Sequence, residues 1–298
     1  MVIKLKKSIY YKKHKKYKKT YVLLKYIPFI ILFIIMIIFF VKFNNKDKLD
    51  ISLSNVASFK ISSDNIIALE EVSKKYNIDF YEILTYYAIE NNFFNDKNLD
   101  ISNIEKDFII NYDSIKSKYS KKSVEPYYNL IKNIIEEIKN FPIPLEYANN
   151  YIYGDSYGAE RTYGGKRIHT GTDIMDKENI VGRIPIISMT DGIIENIGWN
   201  EKGGYRVGIK SKSGNYYYYA HLDKFEEGME KGKEILAGDT IGYMGNTGYS
   251  KIEGTKGNFE THLHLGIEAQ TNLTNDELWI NPYPFLSLIE NRQKNSKN

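Results

Sequence analysis

The stretch FETHLHLG (259–266) puts two of the chain's five histidines one residue apart. Read as a β-strand, it turns His262 and His264 to the same face about 6.6 Å apart, because side chains alternate and each residue advances about 3.3 Å. Two imidazoles looking into one small volume either share a metal site or are an accident of sequence. The surrounding chain favours the strand. RIPIISM (183–189), GIIENIGW (192–199), YRVGIKS (205–211), YYYYAHL (216–222), TIGYMG (240–245) and THLHLGIEA (261–269) are short and rich in β-branched and aromatic residues. Turn-forming clusters such as Thr190-Asp191-Gly192, Lys202-Gly203-Gly204 and Lys212-Ser213-Gly214-Asn215 separate them. Short strands joined by tight turns predict an antiparallel all-β domain over 145–290.

The chain ahead of it has a different texture. Apolar residues recur at helical spacing from Ile66 to Val72 and again from Tyr81 to Ile89, with Ser63 or Asp64 as candidate caps and a break between Asn77 and Asp79. A third helix is expected over 124–140, halted by Phe141-Pro142-Ile143-Pro144. Residues 63–142 therefore read as a small α-helical region; it holds no histidine and no convergent carboxylates, which makes it a packing or spacer element. The polar stretch 44–62 reads as a linker and 291–298 as a polar tail. At 298 residues, 42% of them hydrophobic, the chain has room for about two domains, and the fold class is α+β in several parts.

Residues 1–25 contain ten lysines and no acidic residue, and YIPFIILFIIMIIFFV (26–41) follows as sixteen uninterrupted apolar residues. At 1.5 Å per residue the run is about 24 Å long, or about 30 Å if it starts at Val22 with Lys25 reaching back to the headgroups. A buried core helix and a cleaved signal peptide are the alternatives, but no small-residue cleavage pattern follows Val41. The expectation is a transmembrane signal anchor over 26–43 in the lipid bilayer of the cell membrane. Residues 1–25 are then a basic cytoplasmic tail, and everything after about residue 44 lies outside, on the cell-wall side. The whole chain is net +4, so with the ten charges of the tail set aside the remainder is net −6. Nucleic-acid binding by the folded part loses its electrostatic basis. Kinase and NTPase readings weaken too, since no phosphate-cradling motif is present.

There is no cysteine, so disulfides, thiol nucleophiles and Cys-held zinc are excluded, and a metal would be held by His, Asp or Glu. His169, His221, His262 and His264 lie in the β domain, and His14 lies in the basic tail. His169 and Asp173 are four apart in HTGTD, where Thr170, Gly171 and Thr172 argue against a helix. In a straight strand they would be about 13 Å apart, too far to share a zinc ion with bonds near 2 Å. A bend is required, and Gly171 can supply it. Catalytic zinc typically takes three protein ligands and leaves a fourth position for water. His169, Asp173 and one of His262 or His264 make such a set, and the two remaining histidines are suited to proton handling.

In this order, HTGTD (169–173), YAHL (219–222) and HLH (262–264) resemble the HxxxD, YxHL and HxH motifs of the M23 family of zinc metallopeptidases, the LytM or lysostaphin-type endopeptidases. GDTIGYMGNTGYS (238–250) is similar to that family's GxxIGxxGxTGxS stretch. The resemblance covers about half the chain. It implies a LytM-like β fold, a Zn2+ cofactor, and hydrolysis of peptide bonds in bacterial cell-wall peptidoglycan, whose peptides would be the partners. By position it implies His169, Asp173 and His264 as zinc ligands, and His221 and His262 as the residues that activate water and stabilise the oxyanion. Tyr163, six residues before His169, resembles an oxyanion-assisting tyrosine of some members. KIEGTKGNFET (251–261) departs from the family's shorter spacing and is expected to reshape the cleft wall. Asn149 and Asn150 are candidates for the asparagine that keeps some relatives latent. The competing expectation is a catalytically silent scaffold or activator of the same fold that binds cell wall or a partner protein. Such members commonly lose ligands, and here none is missing.

Overall fold

The computed structural model describes residues 26–40, 49–95 and 101–296. The expected basic tail with His14, the end of the expected anchor at 41–43, and residues 44–48 lie outside them. The chain divides into two compact units, Met1–Leu49 and Asp50–Asn298. In the first, residues 26–40 form helix α1, whose large apolar side chains are exposed. At 1.5 Å per residue α1 is about 22 Å long, against about 30 Å of bilayer hydrocarbon. Among the described residues no helix is long and apolar enough to cross a membrane, so the structure lends no support to the transmembrane helix expected over 26–43.

The second unit begins inside the stretch expected to be a linker. Helix α2 (Leu53–Ser58) is capped by Ser52, whose hydroxyl accepts from the Asn55 N–H. Strand β1 (Lys60–Ile61) pairs in parallel with β2 (Phe94–Asn95). Phe59 is fully buried, its ring 4.8 Å from Phe285 and 5.8 Å from Phe93 between centroids. Val56, Phe59 and Ile61 are spaced with neither a helical nor a strand period, which is why a core segment looks like a linker in sequence.

Helices α3 (Ser63–Tyr76), α4 (Phe80–Glu90), α5 (Ile101–Asp107), α6 (Tyr112–Lys118) and α7 (Lys121–Glu137) follow. The break between α3 and α4 falls at the expected place. Asn77, at φ 53°, ends the first, and the Asp79 carboxylate accepts from the Glu82 N–H to start the second. The cap of α3 is Ser62, one residue earlier than the sequence candidates. Helix α7 stops at Glu137, ahead of the proline pair. The short helices α5 and α6 are not legible in sequence, because among the described side chains α5 buries only Ile104 and α6 only Tyr112 and Ile115.

The remaining chain carries β3 (Tyr151–Tyr153), β4 (Glu160–Arg161), β5 (Arg167–Ile168), β6 (Thr172–Asp176), β7 (Pro185–Ile187), β8 (Gly192–Asn200) and β9 (Gly204–Lys210). It continues with β10 (Tyr216–Phe225), β11 (Glu234–Ile235), β12 (Thr240–Met244), β13 (His262–Glu268) and β14 (Trp279–Ile280). Helix α8 (Tyr283–Asn295) then takes in most of the expected polar tail. The main sheet runs β11-β8-β9-β10-β13-β6-β3, with β12 joining β10 to β7 and β14 flanking β13. Its pairings are antiparallel, as the strand pattern predicts. Strands β4 and β5 form a separate hairpin.

The two faces of this sheet have different tasks. The tract YYYY (216–219) splits between them: Tyr217 and Tyr219 are fully buried, while Tyr216 and Tyr218 line a cleft. Along β13, Leu263, Leu265 and Ile267 enter the core while His262 and His264 face the cleft. The helical region braces the core side. Glu137, at the end of α7, accepts from the Ser213 N–H and from Asn215 Nδ2, each at 2.9 Å. Arg292 of α8 pairs with Glu70 of α3 at 2.7 Å. If residues 51–61 belong to this core, Phe59→Ala costs about 3–5 kcal/mol in a denaturant titration, and a loss below about 1 kcal/mol returns the segment to linker status.

Candidate metal centre

Antiparallel pairing of β13 with β6 sets His264 directly across from Asp173 and Leu265 across from Thr172. The chain entering β6 bends at Gly171 and passes very close to β13. A Cβ on Gly171 would lie 2.4 Å from the Leu265 carbonyl oxygen and 2.6 Å from His264 Cε1, so only glycine fits. This bend carries His169 back over the strand. His169 Nε2 lies 2.8 Å from His264 Nδ1 and 3.0 Å from Asp173 Oδ1, and His264 Nδ1 lies 3.0 Å from the same oxygen.

These three atoms fit a cation. His169 Nδ1 is 2.8 Å from the Ser156 carbonyl, to which it donates, so the neutral ring keeps its lone pair on Nε2. That lone pair meets a carboxylate oxygen and a second ring nitrogen, an arrangement that a cation between them, or a proton on His264 Nδ1, would satisfy. A tetrahedral zinc ion with bonds of about 2.0–2.2 Å spaces its ligand atoms about 3.3–3.6 Å apart, so the triangle accepts it by opening about 0.3–0.8 Å. The other carboxylate oxygen, Asp173 Oδ2, accepts from Arg161 Nη2 at 2.7 Å, and the Asp173 N–H donates to Ser156 Oγ at 3.1 Å. Arg161 thereby holds the carboxylate so that Oδ1 faces the two imidazoles.

The remaining two histidines are positioned by their Nδ1 atoms. In β10, Tyr217 and Tyr219 point to the core, and unbroken alternation would send residue 221 there too. Instead the pairing with β9 skips between Tyr219 and Leu222, and His221 takes φ 63°, a left-handed conformation uncommon outside glycine. The bulge turns the ring to the cleft side, where Nδ1 donates to the Thr247 carbonyl at 2.8 Å. His262 Nδ1 donates to the Glu260 carbonyl at 2.7 Å. Each ring is left with Nε2 as its basic atom, and His262 Nε2 is 3.9 Å from Asp173 Oδ1. The two ring centroids are 4.7 Å apart. Burial, and for His221 the neighbouring imidazoles, push both below the ordinary histidine range, so each is neutral at pH 7.

The loop 251–261 contributes Phe259, whose ring packs 4.6 Å from His221 and 5.1 Å from His262. Tyr249 adds a second aromatic wall 5.8 Å from His221. Phe259, Tyr249, Thr247 and Arg161 were not anticipated individually. Their only sequence signal is proximity to the histidine motifs, and the length of the 251–261 loop is the one cue to an altered wall. Tyr163 is not among the residues lining the cleft; it stacks on Tyr249 at 4.5 Å and its hydroxyl meets Glu201 at 3.4 Å. Asn149 and Asn150 are not cleft residues either, and their main-chain carbonyls accept from Lys177. The cleft itself has a volume of about 530 Å³ and runs from the metal cluster along the exposed face of β10, β9 and β8.

Two substitutions test this construction. Arg161→Ala weakens zinc binding about 10- to 100-fold in a chelator competition, because Asp173 loses its orienting partner. Gly171→Ala weakens it further by pushing the bend that carries His169 away from Leu265 and His264, and unchanged affinity in both variants rules out this cluster as the metal site.

The sequence pattern described as "Peptidase family M23" matches residues 167–276. The chain is 37% identical over 157 residues to the L-Ala–D-Glu endopeptidase of Bacillus subtilis, a span of 53% of this chain and 45% of that protein. It is 32% identical over 142 residues to the glycyl-glycine endopeptidase ALE-1 of Staphylococcus capitis, covering 47% of this chain and 35% of the other. The matches therefore span less than half the length of these two relatives. A crystal structure from Ruminococcus gnavus, named for a glycyl-glycine endopeptidase lytM, aligns over 84% of this chain and 96% of its own, at a TM-score of 0.65 and 32% identity. That alignment extends well beyond residues 167–276 and takes in much of the helical region. Sequence and fold agree over most of the length of both chains, and this chain therefore belongs to peptidase family M23.

Proposed function

We propose that the chain is a zinc-dependent endopeptidase that hydrolyses peptide bonds in bacterial cell-wall peptidoglycan. The observation that carries this reading is the triangle of His169 Nε2, Asp173 Oδ1 and His264 Nδ1, set beside two neutral imidazoles that are each fixed through Nδ1. His169, Asp173 and His264 would hold the zinc, which when bound supplies a lowered water pKa and a polarised scissile carbonyl. His221 and His262 divide the proton work. One Nε2 would take the proton from the attacking water, and the imidazolium so formed would donate to the oxyanion and then return the proton to the leaving amine, while the other, neutral Nε2 would accept a hydrogen bond from the water and orient it. Phe259 and Tyr249 shield these rings from bulk water, which strengthens both interactions. The names of the relatives, an L-Ala–D-Glu and a glycyl-glycine endopeptidase, support cell-wall peptides as the substrate class. A silent scaffold is the weaker reading, because a chain released from catalysis has no reason to keep this geometry intact.

The test compares His262→Ala with His264→Ala on purified cell walls. Both lower peptide release by at least about 100-fold, whereas only His264→Ala also loses zinc affinity. Equal release by the unsubstituted chain and His262→Ala would falsify the peptidase reading.

As part of the same reading, residues 26–43 tether the enzyme to the cell membrane with residues 1–25 inside. Its support is the lysine-rich tail followed by an apolar run whose side chains are exposed over 26–40. The full chain should stay with the membrane pellet after alkaline extraction, and its release to the supernatant removes the tether.

A further inference from the structure

We propose that Arg206 is a carboxylate-binding residue of the cleft, so that the substrate is an acidic peptide with a free carboxylate close to the scissile bond and not an oligoglycine strand. The scissile bond belongs to the peptidase reading above; the carboxylate site stands on its own contacts.

Five cationic side chains line the cleft, Arg161, Arg167, Lys202, Arg206 and Lys210. Arg161 is taken by Asp173 at 2.7 Å and Lys210 by Glu195 at 3.2 Å. Arg167 donates to the Tyr163 carbonyl at 3.4 Å and the Tyr249 hydroxyl at 3.3 Å, and Lys202 is exposed to water. Arg206 differs from all four. Among the described residues it makes no ion pair, and its Nη1 is buried without a hydrogen-bond partner. A buried guanidinium N–H left unmade is a penalty that the free protein carries and that a ligand would remove.

The neighbours supply matching donors. Tyr216 and Tyr218 lie on the same sheet face, and the Arg206 charge acts on both phenols. Each hydroxyl already accepts a hydrogen bond, Tyr216 from Asn196 Nδ2 at 3.2 Å and Tyr218 from Asn200 Nδ2 at 3.0 Å. Their own O–H hydrogens remain to be donated. A guanidinium fork with two phenolic donors and no acceptor of its own is complementary to a carboxylate. There is space for one, since Gly198 pairs with Arg206 and nothing lies within 4 Å of where its Cβ would be. Glu268, directly across from Tyr216, and Glu277 make the field unfavourable to an anion on the side of Tyr216 away from Arg206. The preference for a carboxylate is therefore local to Arg206.

Register fixes its distance from the metal cluster. Ala220 pairs with His264, and Arg206 is the one β9 residue facing the two-residue bulge Ala220-His221. Two strand spacings make about 10 Å between the backbones at Arg206 and His264. An extended peptide advances about 3.3–3.6 Å per residue, so with the reach of the arginine side chain the carboxylate belongs within about two residues of the scissile bond. The D-Glu of an L-Ala–D-Glu linkage carries a second, free carboxyl group; glycine within an oligoglycine strand carries none.

The test uses the full chain with three probes: a peptide containing L-Ala–D-Glu with the free D-Glu carboxylate, the same peptide with that group amidated, and pentaglycine. Binding is measured in the presence of chelator and kcat/KM with zinc. The expected result is that amidation lowers both about 10- to 100-fold, through KM in the kinetics, with pentaglycine weaker still. Arg206→Gln lowers the acidic peptide to the level of the amidated one, and Arg206→Lys restores only part of the difference. The amidated probe makes the comparison on the unsubstituted protein, so misfolding of a variant does not blunt it. Equal treatment of the acidic and amidated peptides, or better use of pentaglycine, overturns the carboxylate site. Binding preference without cleavage supports the site and overturns the peptidase reading alone; cleavage without preference does the reverse.

Discussion

Two imidazole nitrogens and a carboxylate oxygen held within 3.0 Å of one another are the constraint around which the β domain is organised. Side chains with that much acceptor character separate unless their backbones forbid it. Here the backbones do forbid it, because β6 and β13 pair residue for residue across Asp173 and His264, and the Gly171 bend leaves no gap between them. The core face of the same two strands, with Ile174, Leu263, Leu265 and Ile267 fully buried, makes slipping the register costly, since one step would exchange imidazoles for leucines in the interior. Apolar burial on one face thus holds polar convergence on the other.

The helical region belongs to that support. Glu137 reaches from α7 to the turn that opens β10, and α8 buries Phe285 and Leu286, the former against Phe59. Tyr151 and Tyr153 of β3 both donate to Glu290 of α8, at 2.7 and 2.9 Å. The edge strand beside β6 is therefore fastened to a helix and does not depend on sheet pairing alone.

What sequence could reveal of this followed the range of the interactions. The six segments read as strands recur in the sheet, because alternation and turn residues are local signals. The break at Asn77 and Asp79 is visible for the same reason, being a left-handed end next to a side-chain cap. His169, Asp173 and His264 converge as the motif order implies, with Gly171 at the bend. Phe59 escaped notice because its burial rests partly on Phe285 of α8, over two hundred residues away. Arg161 escaped because an arginine in a polar hairpin has no local mark of its partner. Arg206 is silent in sequence, since what distinguishes it is the absence of an acceptor among the described residues around it.

The bulge in β10 works as a phase shifter. Up to Tyr219 the odd positions of this strand belong to the interior; the extra residue resets the count, so that His221 leaves the interior while Leu222 remains fully buried. The same extra residue stands opposite Arg206. A deletion at Ala220 would restore simple alternation with His221 on the cleft face and Leu222 inside, but it would pull His221 out of its left-handed conformation and remove the widened backbone that Arg206 faces. Acid–base chemistry and substrate choice are in this way joined to a single irregularity of one strand, and neither can drift in evolution by a change of strand length without disturbing the other.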